Sequence, residues 1–350
     1  MIAGGVSSGV FRSLDGGRNW TKVSSNSEIH NCTTIAQDPR PGFQNIWYYG
    51  TGEWSGNSAS LGSPYRGQGV WKSINNGVTW SQISETNSVF TSFDSPFDYV
   101  NKIEVSPVNG HIFMAVAGRI YRYDGNRLSL ELSLPGNSTA WTDVEITTNG
   151  RVIATIEGSV AEAGVFTSPT GSGNWTKLND PNPAGWNAQG RIVLGIAPSN
   201  PNVFYALYDN NKTAGANGGD KEADLWKYDL STSTWTDFSA KLPDEPGGNS
   251  SGNDPFAIQG AYDLVVAVKP DDENYVFIGG TNAYEITNIN TETMFARIGG
   301  YKNNQGYALY DAGGIEHHPD IHSFTFDPQN PDIMYSGTDG GVHKYLYQIF

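Results

Sequence analysis

A twelve-residue pattern returns along the chain. Gly9-Val-Phe-Arg-Ser-Leu-Asp-Gly-Gly-Arg-Asn-Trp20 comes back as Gly69-Val-Trp-Lys-Ser-Ile-Asn-Asn-Gly-Val-Thr-Trp80 and as Gly164-Val-Phe-Thr-Ser-Pro-Thr-Gly-Ser-Gly-Asn-Trp175. In each copy a serine stands seven residues before a tryptophan, with turn-forming residues between. Recurrence of this kind fixes architecture before any local propensity does. A second element alternates with this box: a turn, usually with proline, then a short apolar run. The runs are 46–49, 112–116, 152–156, 203–207, 275–278 and 333–335, and Ile2 begins a further, truncated one. They are spaced by roughly 40 to 70 residues, the length of a four-stranded blade plus loop insertions.

Composition agrees with an all-β reading. The chain has 350 residues, 42 glycines and 18 prolines for turns, and 12% aromatic residues, which argues against disorder. Weaker outer-strand signals stand at 120–123, 225–229 with Trp235, and 283–286, and the last unit ends at 341–345. The expected fold is therefore an all-β β-propeller of four-stranded blades, with seven the natural count, forming one domain over 1–350. The first unit lacks its first strand and the last its fourth. Strands from both ends completing one blade is one way to close such a fold; continuation into further chain is the other.

A net charge of −15 sets the chain against nucleic acid and anionic membrane surfaces. Acidic loops suit calcium, and excess acid also serves solubility. Asp209-Asn-Asn and Gly218-Gly-Asp220 offer oxygens but no complete calcium loop. A single cysteine, Cys32, excludes an intrachain disulfide, and no apolar run is long enough to span a membrane. Met1-Ile-Ala-Gly-Gly reads like the middle of a strand, so the chain is expected to be part of a longer protein.

The box has a physical reading of its own. Asp15 can accept from turn amides, Gly17 can take a positive φ, Ser13 can bond back to the turn, and Trp20 can bury its ring. In the second copy the same places hold Ser73, Asn75, Gly77 and Trp80; in the third Ser168, Thr170 and Trp175. The drift from aspartate to asparagine and threonine suits a turn and not a catalytic carboxylate, so the boxes read as scaffold.

At these residues the chain resembles Asp-box (BNR-repeat) β-propellers, a superfamily with sialidases, family 74 xyloglucanases and sortilin-type receptor domains. Tyr49-Gly-Thr-Gly-Glu53, 190–201, 259–268, His318-Pro-Asp-Ile-His322, 327–331 and Gly337-Thr-Asp-Gly-Gly-Val342 are similar to large secreted Bacteroidetes proteins often labelled sortilin-like or glycosyl hydrolase. That resemblance implies export through type IX secretion with a C-terminal sorting domain, hence a secreted or cell-surface location and contact with secretion or surface machinery. It also implies that Asp339, in an Asp-x-Gly-Gly context, matches one catalytic aspartate of family 74. Such enzymes invert and need a second carboxylate; Glu53, Asp98, Asp143, Glu145 and Asp263 are candidates with none standing out. The sialidase reading fails, because the chain has ten arginines and no Arg-Ile-Pro segment.

Two further groups are singled out by residue type. His318, Asp320 and His322 alternate, and on a regular strand they would share one face at a spacing that suits a divalent metal. A hydrogen-bonded cluster at a strand start and a catalytic role are the other readings. Glu53, Trp54, Tyr65 and Arg66 lie in a Gly- and Ser-rich loop, where exposed aromatics suit a sugar or a protein and equally suit packing of the loop itself. The leading expectation is a non-catalytic propeller that binds protein or glycan through its loops. An inverting polysaccharide hydrolase and a sortilin-like peptide-binding propeller are the alternatives.

Overall fold

The structure, a computed structural model, describes residues 1–25, 31–54, 64–88, 92–134, 141–157, 163–215, 219–244, 256–301 and 317–346. Strands pair into seven antiparallel sheets, each made of strands consecutive in sequence. The fold is a seven-bladed β-propeller. Its only helical elements among the described residues are three single turns of 3-10 helix, at Ser84–Thr86, Pro96–Asp98 and Ser239–Lys241.

Met1–Asn179 is one compact unit and holds blades one to four. Blade one is Ile2–Gly5, Gly9–Arg12 and Thr21–Lys22, and blade two Cys32–Gln37, Trp47–Thr51, Val70–Ser73 and Ser81–Gln82. Blade three is Val100–Val105, Ile112–Val116, Arg119–Tyr123 and Leu128–Ser133. Blade four is Thr142–Ile146, Val152–Ile156, Gly164–Ser168 and Thr176–Lys177. Asp180–Phe350 is a second unit. It holds blade five, Ile192–Ile196, Val203–Asp209, Ala223–Asp229 and Thr234–Asp237, and blade six, Val265–Val268, Val276–Gly279, Ala283–Ile286 and Ala296–Gly299. Blade seven is Ile321–Asp327, Asn330–Thr338 and Gly341–Leu346. The two terminal blades are thus separate three-stranded sheets, and no described sheet mixes strands from both ends.

The apolar runs become the second strands, buried on both faces. Ile112–Val116 and Val152–Ile156 are buried at every residue, as apolar runs in a doubly covered strand should be. Full burial of each Val, Ile or Phe here is worth roughly 1.5–3 kcal/mol. In the second unit, Val203, Tyr205, Val276, Ile278 and Tyr284 join Phe256 and Phe295 in one core cluster.

The boxes form the hairpins between third and fourth strands. Ser13 Oγ donates to Asp15 Oδ1 at 2.9 Å and accepts from Gly17 N at 2.9 Å, while Asn19 N donates to Asp15 Oδ1 at 2.9 Å. Ser73, Asn75, Gly77 and Thr79 repeat this at 2.9, 2.9 and 3.0 Å. In the third copy Ser168 accepts from Gly171 N at 3.0 Å and donates to Gly173 O at 2.6 Å, so the serine carries the turn without the carboxylate. Asn19 and the neighbouring donors hold Asp15 down at about 2. Glycine is required at Gly77 and Gly171 twice over. Their φ values are +73° and +69°, and an added Cβ would run into Ile2 and Phe113, side chains on Ile2–Gly5 and Ile112–Val116 of the preceding blades. The tryptophans stand one residue before the fourth strands. Trp80 meets Tyr49 edge-on at 4.7 Å, and Trp175 packs against the buried pair of Phe166 and Ile156.

Candidate functional site

Three first strands carry the same irregularity. The register of blade two shifts between Cys32 and Thr34, of blade three between Val100 and Lys102, and of blade seven between Ile321 and Ser323. Each bulge leaves one residue outside the ladder and re-aims its side chain. Thr33 donates to Val100 O at 2.6 Å and Asn101 accepts from Thr142 Oγ1 at 2.8 Å, so these two tie a blade to the next. His322 is different. It reaches Asp339 Oδ1 in its own blade through Nε2 at 2.7 Å.

Around His322 the second unit gathers carboxyls from three distant stretches of sequence. Asp263 Oδ1 lies 3.7 Å from His322 Nδ1, opposite the Asp339 side, and Asp263 is fully buried. Asp320 pairs with Asp263 and accepts from Gln259 Nε2 at 2.5 Å. The Tyr262 ring stands edge-on to His322 at 5.3 Å. Asp320 sits at φ +63°, an uncommon place for a non-glycine, and is held there by its N–H to Thr281 O at 2.8 Å and by Ile321 N to Gly280 O at 3.0 Å. These carboxyls are driven apart electrostatically. Burial, then the charges of Asp320 and Asp339, push Asp263 up to about 9, so it holds a proton at neutral pH. Asp320 is also raised, by burial first and then by Asp339. Asp339, half exposed, is lowered chiefly by its hydrogen bond from His322.

The alternation of His318, Asp320 and His322 does not survive as one face. The strand begins only at Ile321, Asp320 has left the extended region, and the bulge displaces His322. Each of the three has its own partner instead, with His318 Nδ1 on Pro319 O at 2.8 Å. Among the described residues no group of three His, Cys, Asp or Glu side chains is arranged to hold a metal ion. This corrects the metal expectation: the side chains diverge because the backbone is not a regular strand. The His318 ring lies over Gly340, where a Cβ would collide with it, which accounts for the first of the two glycines after Asp339. Sequence reading missed His343, which stacks on His317 at 4.5 Å and accepts from His318 N at 3.3 Å. Burial, then His343, lowers His317 to about 4, so that ring is neutral and bonded to Ser336 Oγ at 2.7 Å.

The other candidate carboxylates have structural employment. Asp98 Oδ2 caps its turn, accepting from Asp94 N and Ser95 N at 2.8 and 2.9 Å. Asp143 and Glu145 belong to a network on blades three and four. There Lys102 Nζ lies 2.5 Å from Glu145, 3.8 Å from Asp143 and 3.8 Å from Glu104. Burial would pull Lys102 down, but the three carboxylates outweigh it and raise it. Burial and the charge of Glu145 push Glu104 up to about 8. Lys102 and Glu104 keep 31% and 30% of their side-chain surface accessible, so water moderates both effects.

The loop residues Glu53, Trp54, Tyr65 and Arg66 come together. Glu53 and Tyr65 exchange both backbone hydrogen bonds, at 2.8 and 3.0 Å. Trp54 meets Tyr99 edge-on at 4.9 Å, Phe93 stacks on Tyr99 at 5.5 Å, and the Arg66 guanidinium lies 5.9 Å from the Phe93 ring centre. Tyr65 and Phe93 are 39% and 56% exposed. Much of the surrounding insertions, and Gly218 of the Gly218–Asp220 segment, lies outside the described residues.

No protein-family model and no curated protein matches the sequence. Solved structures do match in fold. A GH74 xyloglucanase from Xanthomonas campestris aligns with a TM-score of 0.62 and 14% identity over 97% of this chain and 49% of that one. A GH74 enzyme from Niastella koreensis gives 0.62 and 13%, over 97% and 49%. The chain therefore spans about half the length of these enzymes. YCF48 bound to D1 peptide gives 0.56 and 14%, over 99% of this chain and 88% of that one. At these identities the likeness concerns the fold.

Proposed function

We propose that the chain is a non-catalytic binding propeller that takes a protein ligand on the loop patch of Trp54, Tyr65, Arg66, Phe93 and Tyr99, and that it works outside the cell. The observation that carries this is the composition of the patch. Tryptophan, tyrosine and arginine dominate binding energy at protein interfaces, and here they stand together with aromatic faces left in water. A propeller of similar fold, YCF48, is described as bound to a peptide, which agrees with such use of the fold. A glycan is the second reading, favoured by the exposed rings of Tyr65 and Phe93. The inverting-hydrolase reading asks for an accessible proton-bearing carboxyl beside an accessible base. Asp339 is accessible, but the carboxyl that holds its proton, Asp263, is fully buried and cannot touch a glycosidic oxygen.

A photo-crosslinking amino acid at Tyr65 tests the proposal against the same group at Leu130, an exposed position elsewhere in the unit. Cells bearing the protein should yield a discrete protein adduct from position 65 alone, lost in Trp54→Ala. Retardation in polysaccharide gels without such an adduct would replace the protein by a glycan. Sugar release from xyloglucan, abolished by Asp339→Asn, would overturn the non-catalytic reading. Surface proteolysis of intact cells checks the location.

A further inference from the structure

Blades one and two enclose a groove at the end of their strands that carries the box hairpins. One stretch of it, about 420 Å³, has Val23, Val78 and the Trp71 and Trp80 rings in its walls. The next, about 350 Å³, adds Arg12, Leu14 and Asp15 to the same two valines. Leu14, Ile74 and Val78, on the two hairpins, are 80, 65 and 50% exposed. The turn itself does not require them. In the third box Pro169 stands in the place of Leu14 and Ile74, and Gly173 in that of Val78, and Ser168 still closes the hairpin. Apolar side chains gathered along one groove, held in water with no task in the turn, mark a contact surface. In the first box Arg18 takes the place of Val78; it is exposed and its guanidinium makes no ion pair among the described residues.

The charge of this region sets it apart. Residues 1–83, which form blades one and two, hold six basic and four acidic residues, whereas residues 84–350 hold fifteen and thirty-two. Asp15, the carboxylate of the groove, is committed to its own hairpin: Oδ1 accepts from Ser13 Oγ and Asn19 N at 2.9 Å each, and Oδ2 from Asn19 Nδ2 at 2.6 Å. Arg12 spends Nε on Asn76 O at 2.7 Å, which ties the first box to the second and sets its guanidinium in the groove wall. A ligand bearing carboxylates is drawn to these guanidinium groups and repelled by the rest of the chain. We propose that the groove binds an extended acidic segment of a partner protein, with an apolar side chain laid over Val23 and Val78 and a carboxylate reaching Arg12 and Arg18. The site is independent of the aromatic patch. In an antiparallel blade the third-to-fourth hairpin and the second-to-third loop lie at opposite ends, and Trp54 and Tyr65 belong to such a loop.

Fluorescence anisotropy on the full chain tests this with fluorescein-Gly-Asp-Glu-Leu-Asp-Glu-Gly-amide. The controls carry asparagine and glutamine for its acids, or glycine for its leucine. The acidic peptide should bind about tenfold or more tighter than either control, and less tightly as salt rises from about 0.05 to about 0.5 M. Val78→Asp and Arg18→Glu, both at exposed hairpin positions, should each weaken it about fivefold or more, while Trp54→Ala leaves it unchanged. Thermal melts matching the parent confirm that the variants fold. Equal binding of the acidic and neutral peptides, no binding of any, or indifference to both hairpin substitutions would overturn the proposal. So would concentration-dependent association in sedimentation velocity that Val78→Asp abolishes, which gives the groove to a second copy of the chain. Binding to phosphatidylserine vesicles that Arg18→Glu abolishes and the acidic peptide does not compete for would overturn it in favour of a lipid surface.

Discussion

Two clusters of three carboxyls, one in each unit, make an instructive pair. On blades three and four, Glu104, Asp143 and Glu145 surround a lysine whose charge is fixed at neutral pH. At blade seven, Asp263, Asp320 and Asp339 stand around a histidine, and the fully buried Asp263 shares a hydrogen bond with Asp320. The lysine cluster is closed: its cation is internal, and what remains is a raised Glu104 and a raised Glu145, each lifted first by burial. The histidine cluster is open. Its imbalance is stored as a proton on Asp263 and as charge on an accessible Asp339. Equal carboxyl counts thus hold a fixed cation in one place and store a proton in the other, and the central side chain decides which.

Removing the lysine should break the contrast most severely. Lys102→Met leaves three carboxylates without their cation and should cost about 2–3 kcal/mol in urea unfolding at pH 7, below the usual penalty for a buried pair because the site is partly wet. The loss should shrink near pH 4, where the carboxyls protonate. Next in size is the pH dependence of the open cluster. An acid raised on folding contributes stability that is present below its unfolded value and lost as pH rises through its folded one. From Asp263, raised from 3.8 to about 9, stability should fall as pH climbs from about 4 to about 9. The slope is at most about 1.4 kcal/mol per pH unit. Asp263→Asn should flatten it, leaving the variant as stable as the parent below about pH 4 and more stable at pH 8. A slope unchanged by this substitution would show that Asp263 ionises freely.

Converting one cluster into the other is a subtler manoeuvre. His322→Lys places a permanent cation among Asp263, Asp320 and Asp339, and the pH slope should roughly halve. An undiminished slope would separate the two clusters on grounds other than charge balance. The smallest effect belongs to the exposed pair. Asp339→Asn should change stability by about 0.5 kcal/mol or less in urea unfolding at neutral pH.

The parts of this molecule that were legible in its sequence are those written locally. Ile112–Val116, Val152–Ile156 and Ala283–Ile286 form strands with the bounds their apolar runs suggest, and the box hairpins close as their serines and acceptors require. Leu128–Ser133 was harder to see, since it ends blade three with no box tryptophan before it and no buried residue in it. The histidine cluster was half visible. His322 and Asp339 stand out by motif, but Asp263 was one of five equal candidates because its neighbours arrive from 259–263, 320–322 and 339. His343 was invisible until the hairpin pairing of Ser336 with His343 placed it against His317. A bulge and one positive φ, neither with a sequence signature, redirected the side chains that alternation had put on one face.

The contacts of Gly77 with Ile2 and of Gly171 with Phe113 bear on how the chain is made. A box closes over a strand of the blade before it, so that strand stays uncovered while the ribosome is still adding the residues that will cover it. Ile2 waits for residue 77 and Phe113 for residue 171. Synthesis of the first unit therefore runs one blade ahead of its completion, and a nascent chain stalled between two boxes presents its most recent sheet to chaperones with one flank still bare.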